Sequence, residues 1–191
     1  MMRRGVEHTS VEIKLRMLKR KDAALMLEWM HDPAIQNGFR KNMLGMTMKD
    51  VEAFCAEGTE PENLKNGDSL HYTITDDTDE YLGTISLKNI DLINRNAEYA
   101  VVIRKVAQGK GVACKATILV LNKAFEELGL HRVFLSVLSN NEAAIRLYER
   151  CGFNYEGEFR DHFKCGDGYL NWKWYSMLKE EYWRMVSAQH E

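Results

Sequence analysis

The sequence predicts a single α/β domain, on the basis of its composition and of an alternation of strand-like and helical patterns. Of 191 residues, 45% are hydrophobic, 28% are charged and 2 are proline, a composition that excludes disordered, collagen-like and low-complexity chains. This length suits one domain with one core. We expect a flexible tail at 1–10, the domain at 11–182 and a C-terminal tail at 183–191.

The first half of the chain begins with a strand and ends with a hairpin. Apolar and charged side chains alternate over 11–17, which is typical of a strand with one buried face. Apolar residues then recur at helical spacing over 21–30, up to an Asp-Pro dipeptide, and a second helix starts at Thr47. An Asp-rich turn joins the two strands of a predicted hairpin, 69–75 and 81–88.

The second half alternates strands with helices, which implies a crossover connection. A mostly apolar segment leads into a glycine pair, and this pair opens a long amphipathic helix that Gly129 ends. The predicted elements are strand 96–104, a helix over 109–128, strand 131–138, helix 141–150, strand-like segments 153–163 and 169–178, and a short helix from 179.

Charge and hydropathy narrow the classes of partner. Lys and Arg number 26 against 28 Asp and Glu, a net charge of −2, so no excess positive charge favours nucleic acid or an anionic membrane. The sequence has no apolar run of about 18 residues and no signal segment, so we expect a cytoplasmic protein without a membrane span. The four cysteines form no C-x-x-C pair and are expected to be free thiols, and no metal site is predicted.

A glycine-containing segment follows the apolar strand 96–104. Gln108–Ala113 reads QGKGVA, and a helix begins there. Free amides and the helix dipole at such a position bind phosphate, and Gly109, Gly111 and Ala113 let the backbone approach a ligand closely. An ordinary glycine-containing helix start is the alternative. Because the segment lacks the G-K-S/T of a Walker loop and the third glycine of a dinucleotide fingerprint, it indicates a different phosphate-bearing cofactor.

Two motifs together resemble one known family. Gln108–Ala113 resembles the Q/R-x-x-G-x-G/A loop of the GNAT acyltransferases, and 141–153, NEAAIRLYERCGF, resembles their N-x-x-A-x-x-x-Y-x-x-x-G-F segment. The resemblance extends from about Leu15 to Tyr182 and is closest to the subgroup of ribosomal-protein, spermidine and nucleotide-sugar acetyltransferases. It implies a GNAT fold, in which helices flank a mixed, mostly antiparallel central sheet whose fourth and fifth strands splay apart.

The resemblance also implies acetyl-CoA as the cosubstrate and no metal. The pantetheine arm would lie between the strands 96–104 and 131–138, and the pyrophosphate would lie on the glycine-containing loop. The residues implied for cofactor binding are Val101, Val102, Ile103, Asn141 and Ala144 along the arm, and Gln108, Gly109, Lys110, Gly111, Val112 and Ala113 at the pyrophosphate.

By the same resemblance, Tyr148 is the general acid that protonates the departing thiolate of coenzyme A. A phenol suits this role because it is neutral near pH 7 and can donate a proton, and a tyrosine simply packed in its helix is the alternative. Glu98 is the first candidate for the general base, because a carboxylate on an otherwise apolar strand is costly without a partner or a use. A rim glutamate in an ion pair, a water chain, Glu158 and His162 are the alternatives.

These motifs predict an N-acetyltransferase that works by direct attack in a ternary complex. We expect a small-molecule primary amine as acceptor, a polyamine or an amino sugar, with Trp29, His31 and Glu158 as candidate contacts. A wall for the substrate is the alternative for Trp172, although an aromatic residue in such a strand is more typical of a core. A protein N-terminus is the alternative acceptor, and a noncatalytic acyl-CoA-binding sensor is the alternative of another class. The oligomeric state is open, and the resemblance suggests a homodimer through the C-terminal strands, for which the segment 169–178 is apolar enough.

Overall fold

The computed structural model describes residues 12–36, 42–56 and 59–188. Its strands are β1 Lys14–Met17, β2 Leu70–Thr75, β3 Tyr81–Asp91, β4 Asn96–Ile103, β5 Arg132–Leu138, β6 Asn154–Cys165 and β7 Gly168–Leu178. Its α-helices are α1 Ala23–Met30, α2 Pro33–Gln36, α3 Met48–Ala56, α4 Val112–Asn122, α5 Glu142–Arg150 and α6 Lys179–Ser187. A π-helical turn, Lys123–Glu127, continues α4.

The seven strands of the described chain form one sheet in the order β1-β2-β3-β4-β5-β7-β6. Every neighbouring pair is antiparallel except β4 and β5, which are parallel. This mixed sheet with flanking helices confirms the predicted fold class.

The parallel pair separates soon after it forms. Its register joins Asn96–Glu98 to Arg132–Phe134 and goes no further. Beyond that point β4 pairs only with β3, and β5 pairs only with β7. The edges by which β4 and β5 face each other therefore have no strand partner. The predicted splay of the fourth and fifth strands is therefore present.

Apolar clusters cover both faces of the sheet. Tyr99 belongs to the larger cluster, which also holds Phe125 from the π-helical turn after α4 and Tyr182 from α6. Val102 packs against the smaller cluster, which α1 and α3 build with residues such as Met26. Because side chains alternate along a strand, these odd and even positions of β4 place the clusters on opposite faces. In the described ranges no helix is long and apolar enough to cross a membrane.

The structure can be compared with the sequence-based boundaries near Pro33 and near Tyr182. The helical pattern predicted over 21–30 ends where expected, because α1 stops at Met30 before the Asp-Pro dipeptide. Pro33 then opens the short helix α2, a position where its fixed φ costs nothing. At the other end, α6 runs to Ser187, so the expected domain boundary at 182 falls inside a helix, and Met185 packs on the larger cluster. The expected tail at 1–10 and the first residue of the strand 11–17 lie outside the described residues.

The segment expected to carry a homodimer is β7. It is hydrogen-bonded on both sides, to β5 and to β6, so β6 forms the edge of the sheet. A homodimer through β7 would therefore use a face of that strand and not its edge. The dimer stays a prediction.

Candidate active site

A cleft of about 720 Å³ lies where β4 and β5 separate. On one face of the sheet it is lined by the segment that leads into α4 and by the start of α5, and on the other face by Ile35, Lys88 and Trp172. Glu98 is directly paired with Lys88 across β4 and β3, so these two side chains share a face, whereas Tyr99 points to the face that α4 covers. The cleft thus gives access to the gap from both faces of the sheet.

The loop between β4 and α4 depends on two glycines with positive φ. Gly109 has a φ of +73° and Gly111, which precedes α4, has a φ of +76°. An L-residue in this left-handed region costs about 1–2 kcal/mol, whereas glycine adopts it freely. Gly111 also has no side chain that could accept from the first amides of α4, so these amides are open to a ligand. Gln108 donates from Nε2 to the carbonyl of Ile103 at 3.0 Å and ties the loop to the end of β4.

A buried arginine fixes the point at which β4 ends. The guanidinium of Arg104 donates to both carboxylate oxygens of Glu28 at 3.2 and 3.1 Å, and to the carbonyl of Tyr81 at 3.0 Å. Its side chain therefore links α1, β3 and the start of the loop. Such bidentate contacts have a fixed geometry, which holds the loop in one position.

The start of α5 carries a side-chain cap. Asn141 accepts through Oδ1 from the amide of Ala144 at 3.2 Å, which satisfies one of the first amides of the helix. Two turns later, Tyr148 reaches the cleft with only 8% of its surface exposed. In the described part of the chain its hydroxyl has no hydrogen-bond partner. Burial raises the pKa of Tyr148 to about 12, so the phenol stays protonated at neutral pH.

A second tyrosine ties β4 to α4. The hydroxyl of Tyr99 lies 2.7 Å from Oγ1 of Thr117, and Thr117 donates to the carbonyl of Ala113 at 2.7 Å. A threonine hydroxyl has one proton to give, so Tyr99 is the donor to Thr117. The ring of Tyr99 meets the ring of Tyr148 edge to face, with centroids 5.9 Å apart. The first turn of α4 and the ring of Tyr148 are thus both placed against Tyr99.

The one carboxylate among the described residues that line the cleft is Glu98. Its Oε1 accepts from Nζ of Lys88 at 3.0 Å, and its Oε2 accepts from Nδ2 of Asn89 at 3.2 Å. The side chain is 16% exposed. Glu98 is therefore both at the cleft and in the ion pair that sequence reasoning named as its alternative.

Comparison with protein families adds a decisive observation. Residues 12–154 match the acetyltransferase (GNAT) domain. The chain belongs to the GNAT acetyltransferase family. It is accordingly an acetyl-CoA-dependent N-acetyltransferase, as the two sequence motifs predicted.

Individual GNAT relatives support this assignment. The chain is 30% identical over 121 residues to the spermidine N(1)-acetyltransferase of Vibrio cholerae, which covers 63% of this chain and 70% of that protein. It is 39% identical over 100 residues to the putative ribosomal N-acetyltransferase YdaF of Bacillus subtilis, covering 52% of this chain and 55% of that protein. A crystal structure of the Vibrio cholerae spermidine N-acetyltransferase with CoA and spermine superposes with a TM-score of 0.79 at 25% identity, covering 90% of this chain and 98% of that one.

Most of the residues expected to bind the GNAT cofactor meet at the cleft. Val101, Val102 and Ile103 line it from the splayed part of β4. The loop and the two helix starts contribute the remaining ones, Gln108, Gly109, Gly111, Val112, Ala113, Asn141 and Ala144. Lys110 is the exception, since it is exposed and does not line the cleft.

The expected acceptor contacts do not meet there. Trp29 is 4% exposed in the α1–α3 cluster and donates from Nε1 to the hydroxyl of Tyr81 at 2.8 Å, so it serves the core. His31 follows the end of α1 and lies 3.0 Å through Nε2 from the carbonyl of Met46. Glu158 on β6 accepts from Asn171 at 2.9 Å. None of the three expected contacts is among the lining residues of the described cleft.

Sequence reasoning missed Lys88 and Arg104 at this GNAT site, and it weighed Trp172 as part of a substrate wall but favoured a core position for it. Lys88, Arg104 and Trp172 acquire their positions from neighbours distant in sequence. A signal existed only for Trp172, whose alternation with Trp174 on β7 places both rings on the face of the sheet that carries Glu98. In the described chain, no group of three or more His, Cys, Asp or Glu is arranged to hold a metal ion.

Proposed function

We propose that this GNAT enzyme transfers the acetyl group of acetyl-CoA to a primary amine of a small molecule, with a polyamine as the preferred class and an amino sugar as the next. The observation that carries this proposal is a single cleft that opens to both faces of the sheet. One face offers the open amides of α4, and the other offers Ile35, Lys88, Glu98 and Trp172. Two substrates can therefore enter from opposite faces and meet in the gap.

Binding of the cofactor is supported by backbone geometry. Beyond Glu98 the edge of β4 that faces β5 has no strand partner, so the peptide groups of Val101–Ile103 need hydrogen bonds from elsewhere. The amides of the pantetheine arm would supply them. The pyrophosphate would then reach the amides of Gly109–Ala113, where the dipole of α4 favours negative charge. Asn141 would meet the arm from the start of α5.

Tyr148 is proposed to protonate the thiolate that leaves when the thioester breaks. Its pKa of about 12 keeps the phenol protonated at neutral pH, so the proton is in place when negative charge develops on the departing sulfur. The hydroxyl has no competing partner in the described chain, so the proton is available to a ligand in the cleft. Attack by the neutral amine and proton donation by Tyr148 complete the transfer without an acyl-enzyme.

Glu98 is proposed to accept the proton that the ammonium group must lose before it attacks. Support comes from its position as the one carboxylate among the described lining residues. Lys88 and Asn89 hold both of its oxygens, so it would accept the proton through a water molecule placed between it and the amine.

The class of acceptor is supported by similarity to spermidine acetyltransferases, in sequence and in structure. A protein N-terminus is the second candidate, because YdaF, described as a putative ribosomal N-acetyltransferase, is 39% identical over 100 residues.

Release of free thiol from acetyl-CoA tests the proposal across four sets of acceptors: spermidine, 4-amino nucleotide sugars, aminoglycosides and peptides with free N-termini. We expect spermidine to exceed the no-amine blank by the largest factor. Peptides above all small amines would instead support the protein acceptor. No amine-dependent release, with acetyl-CoA still raising the melting temperature, would contradict the enzyme and favour an acyl-CoA sensor.

A further inference from the structure

Two cysteines from different helices meet beside the cleft. Sγ of Cys151 lies 3.3 Å from Sγ of Cys114, although 37 positions separate them in the sequence. Cys114 is the third residue of α4, and Cys151 directly follows α5. The other two cysteines lie elsewhere, Cys55 in α3 and Cys165 at the end of β6.

The two thiols of the pair differ in access. Cys114 is partly exposed and lines the cleft, so a small reagent in the cleft can reach it. Cys151 is 1% exposed. Burial, together with the neighbouring Cys114 thiol, raises the pKa of Cys151 to about 12 and keeps it a neutral thiol. Cys114 is therefore the thiol that reacts first.

We propose that Cys114 and Cys151 form a reversible disulfide when a hydroperoxide enters the cleft in the absence of acetyl-CoA, and that this bond lowers acetyl transfer. A disulfide requires a separation of about 2.05 Å between the sulfur atoms, so they must approach by a little over ~1 Å. Rotation of the two side chains supplies part of this movement, and the remainder falls on the first turn of α4 or on the end of α5.

The chemistry balances with hydroperoxide as the oxidant. The Cys114 thiolate attacks one peroxide oxygen, an S–O bond forms and the O–O bond breaks, and the departing oxygen leaves with a proton as water or alcohol. Sulfur of Cys151 then attacks the sulfenic sulfur of Cys114, an S–S bond forms and the S–O bond breaks. The leaving oxygen takes the proton of Cys151 and departs as water, so a free Cys151 thiolate is never required.

The disulfide would affect both the helix proposed to bind the cofactor and the proposed proton donor. It would join the helix whose first amides face the pyrophosphate to a residue three positions after Tyr148. A misplacement of about 1 Å at such a site can cost a factor of up to ~10² in rate. Because Cys114 lines the cleft, bound acetyl-CoA should also shield it. The effects on rate and shielding rest on the proposed function, whereas formation of the disulfide does not.

The test uses the full-length Cys165→Ser protein, which removes the exposed thiol. After treatment with hydrogen peroxide, digestion without reductant and mass spectrometry should find the Cys114 and Cys151 peptides joined, and dithiothreitol should separate them. Turnover should fall about tenfold on oxidation and recover with dithiothreitol. Saturating acetyl-CoA should slow formation of the joined peptide at least about threefold.

Variants of the pair provide the matched controls. Cys114→Ser, a change at a partly exposed position, should abolish the joined peptide and the loss of turnover, and Cys151→Ala should leave Cys114 as a sulfenic acid that dimedone traps. Cys114 and Cys151 recovered as separate reduced peptides from oxidised protein would overturn the site. A joined peptide with unchanged turnover would overturn the effect on transfer, and equal rates with and without acetyl-CoA would overturn the shielding.

Discussion

The two helices that border the cleft begin in opposite ways. α5 starts at Asn141, whose side chain accepts from the amide of Ala144, so this end is closed by the chain itself. α4 starts after Gly111, which has a left-handed conformation and no side chain to offer, so its first amides stay open to the cleft. The capped start of α5 holds in place the helix that carries Tyr148. The uncapped start of α4 leaves hydrogen-bonding groups for an anion.

The largest effect is expected from the reacting side chain of α5. Tyr148→Phe removes the proton donor and should lower kcat by roughly 10²- to 10⁴-fold, with the affinity for acetyl-CoA unchanged, measured by thiol release and by titration calorimetry. The matched control is Tyr175→Phe, since burial also raises the pKa of Tyr175 to about 12 but its hydroxyl contacts Glu149 away from the cleft. A kcat equal to wild type in Tyr148→Phe would place the proton donor elsewhere.

A smaller effect is expected at the open end of α4. Gly111→Ala forces an L-residue into φ +76°, which costs about 1–2 kcal/mol, and the loop should relax away from the pyrophosphate. The Kd for acetyl-CoA should rise about tenfold, with kcat at saturation close to wild type.

Gly129→Ala separates strain from binding in this comparison. Gly129 has a φ of +65° but lies beyond the far end of α4 and its π-helical turn, so the substitution carries a similar strain without touching the loop. It should lower the melting temperature like Gly111→Ala and leave the Kd unchanged. Equal Kd values in the two variants would show that the α4 start does not bind the cofactor.

Substitutions of Asn141, which caps α5, should have still smaller effects. Two variants separate its capping role from its proposed contact with pantetheine. Asn141→Ala removes the acceptor for the Ala144 amide and should lower the free energy of unfolding by about 1 kcal/mol in urea denaturation. Asn141→Ser keeps an acceptor and should restore that stability. Because serine lacks the amide proposed to meet pantetheine, both variants should raise the KM for acetyl-CoA a few-fold. A KM restored by serine would limit Asn141 to capping.

The smallest expected effect is that of pH on kcat, which should not fall as the pH rises above neutrality. Burial raises the pKa of Tyr148 to about 12, and an acid with a raised pKa stays protonated and active below that value. The rate kcat, measured at saturating substrates, should therefore show no downward limb between pH 7 and pH 10. A fall centred near pH 9 would mean that the proton donor is a group with a lower pKa.

Local patterns in the sequence predicted the parts of the site that follow one another along the chain. β4, the glycine loop and α4 are contiguous, as are β5 and α5, and each has its own periodicity or turn residues. The splayed pair of strands followed from the family resemblance and was confirmed by the register of β4 and β5.

Contacts between distant segments could not be predicted in this way. The ion pair of Glu98 with Lys88 depends on the register of β3 and β4, and the burial of Trp29 depends on how α1 packs against α3. The approach of Cys114 to Cys151 requires α4 and α5 to lie side by side. Such contacts arise from packing, which the spacing of residues along one element does not encode.

Initial rates at varied concentrations of both substrates test the central claim most directly, namely that acetyl-CoA and the amine occupy one cleft together, from opposite faces of the sheet. With spermidine as acceptor, double-reciprocal plots should give lines that intersect, and no acetyl group should remain on the protein in the absence of amine. Parallel lines, together with acetylated protein formed from acetyl-CoA alone, would contradict direct attack in a ternary complex.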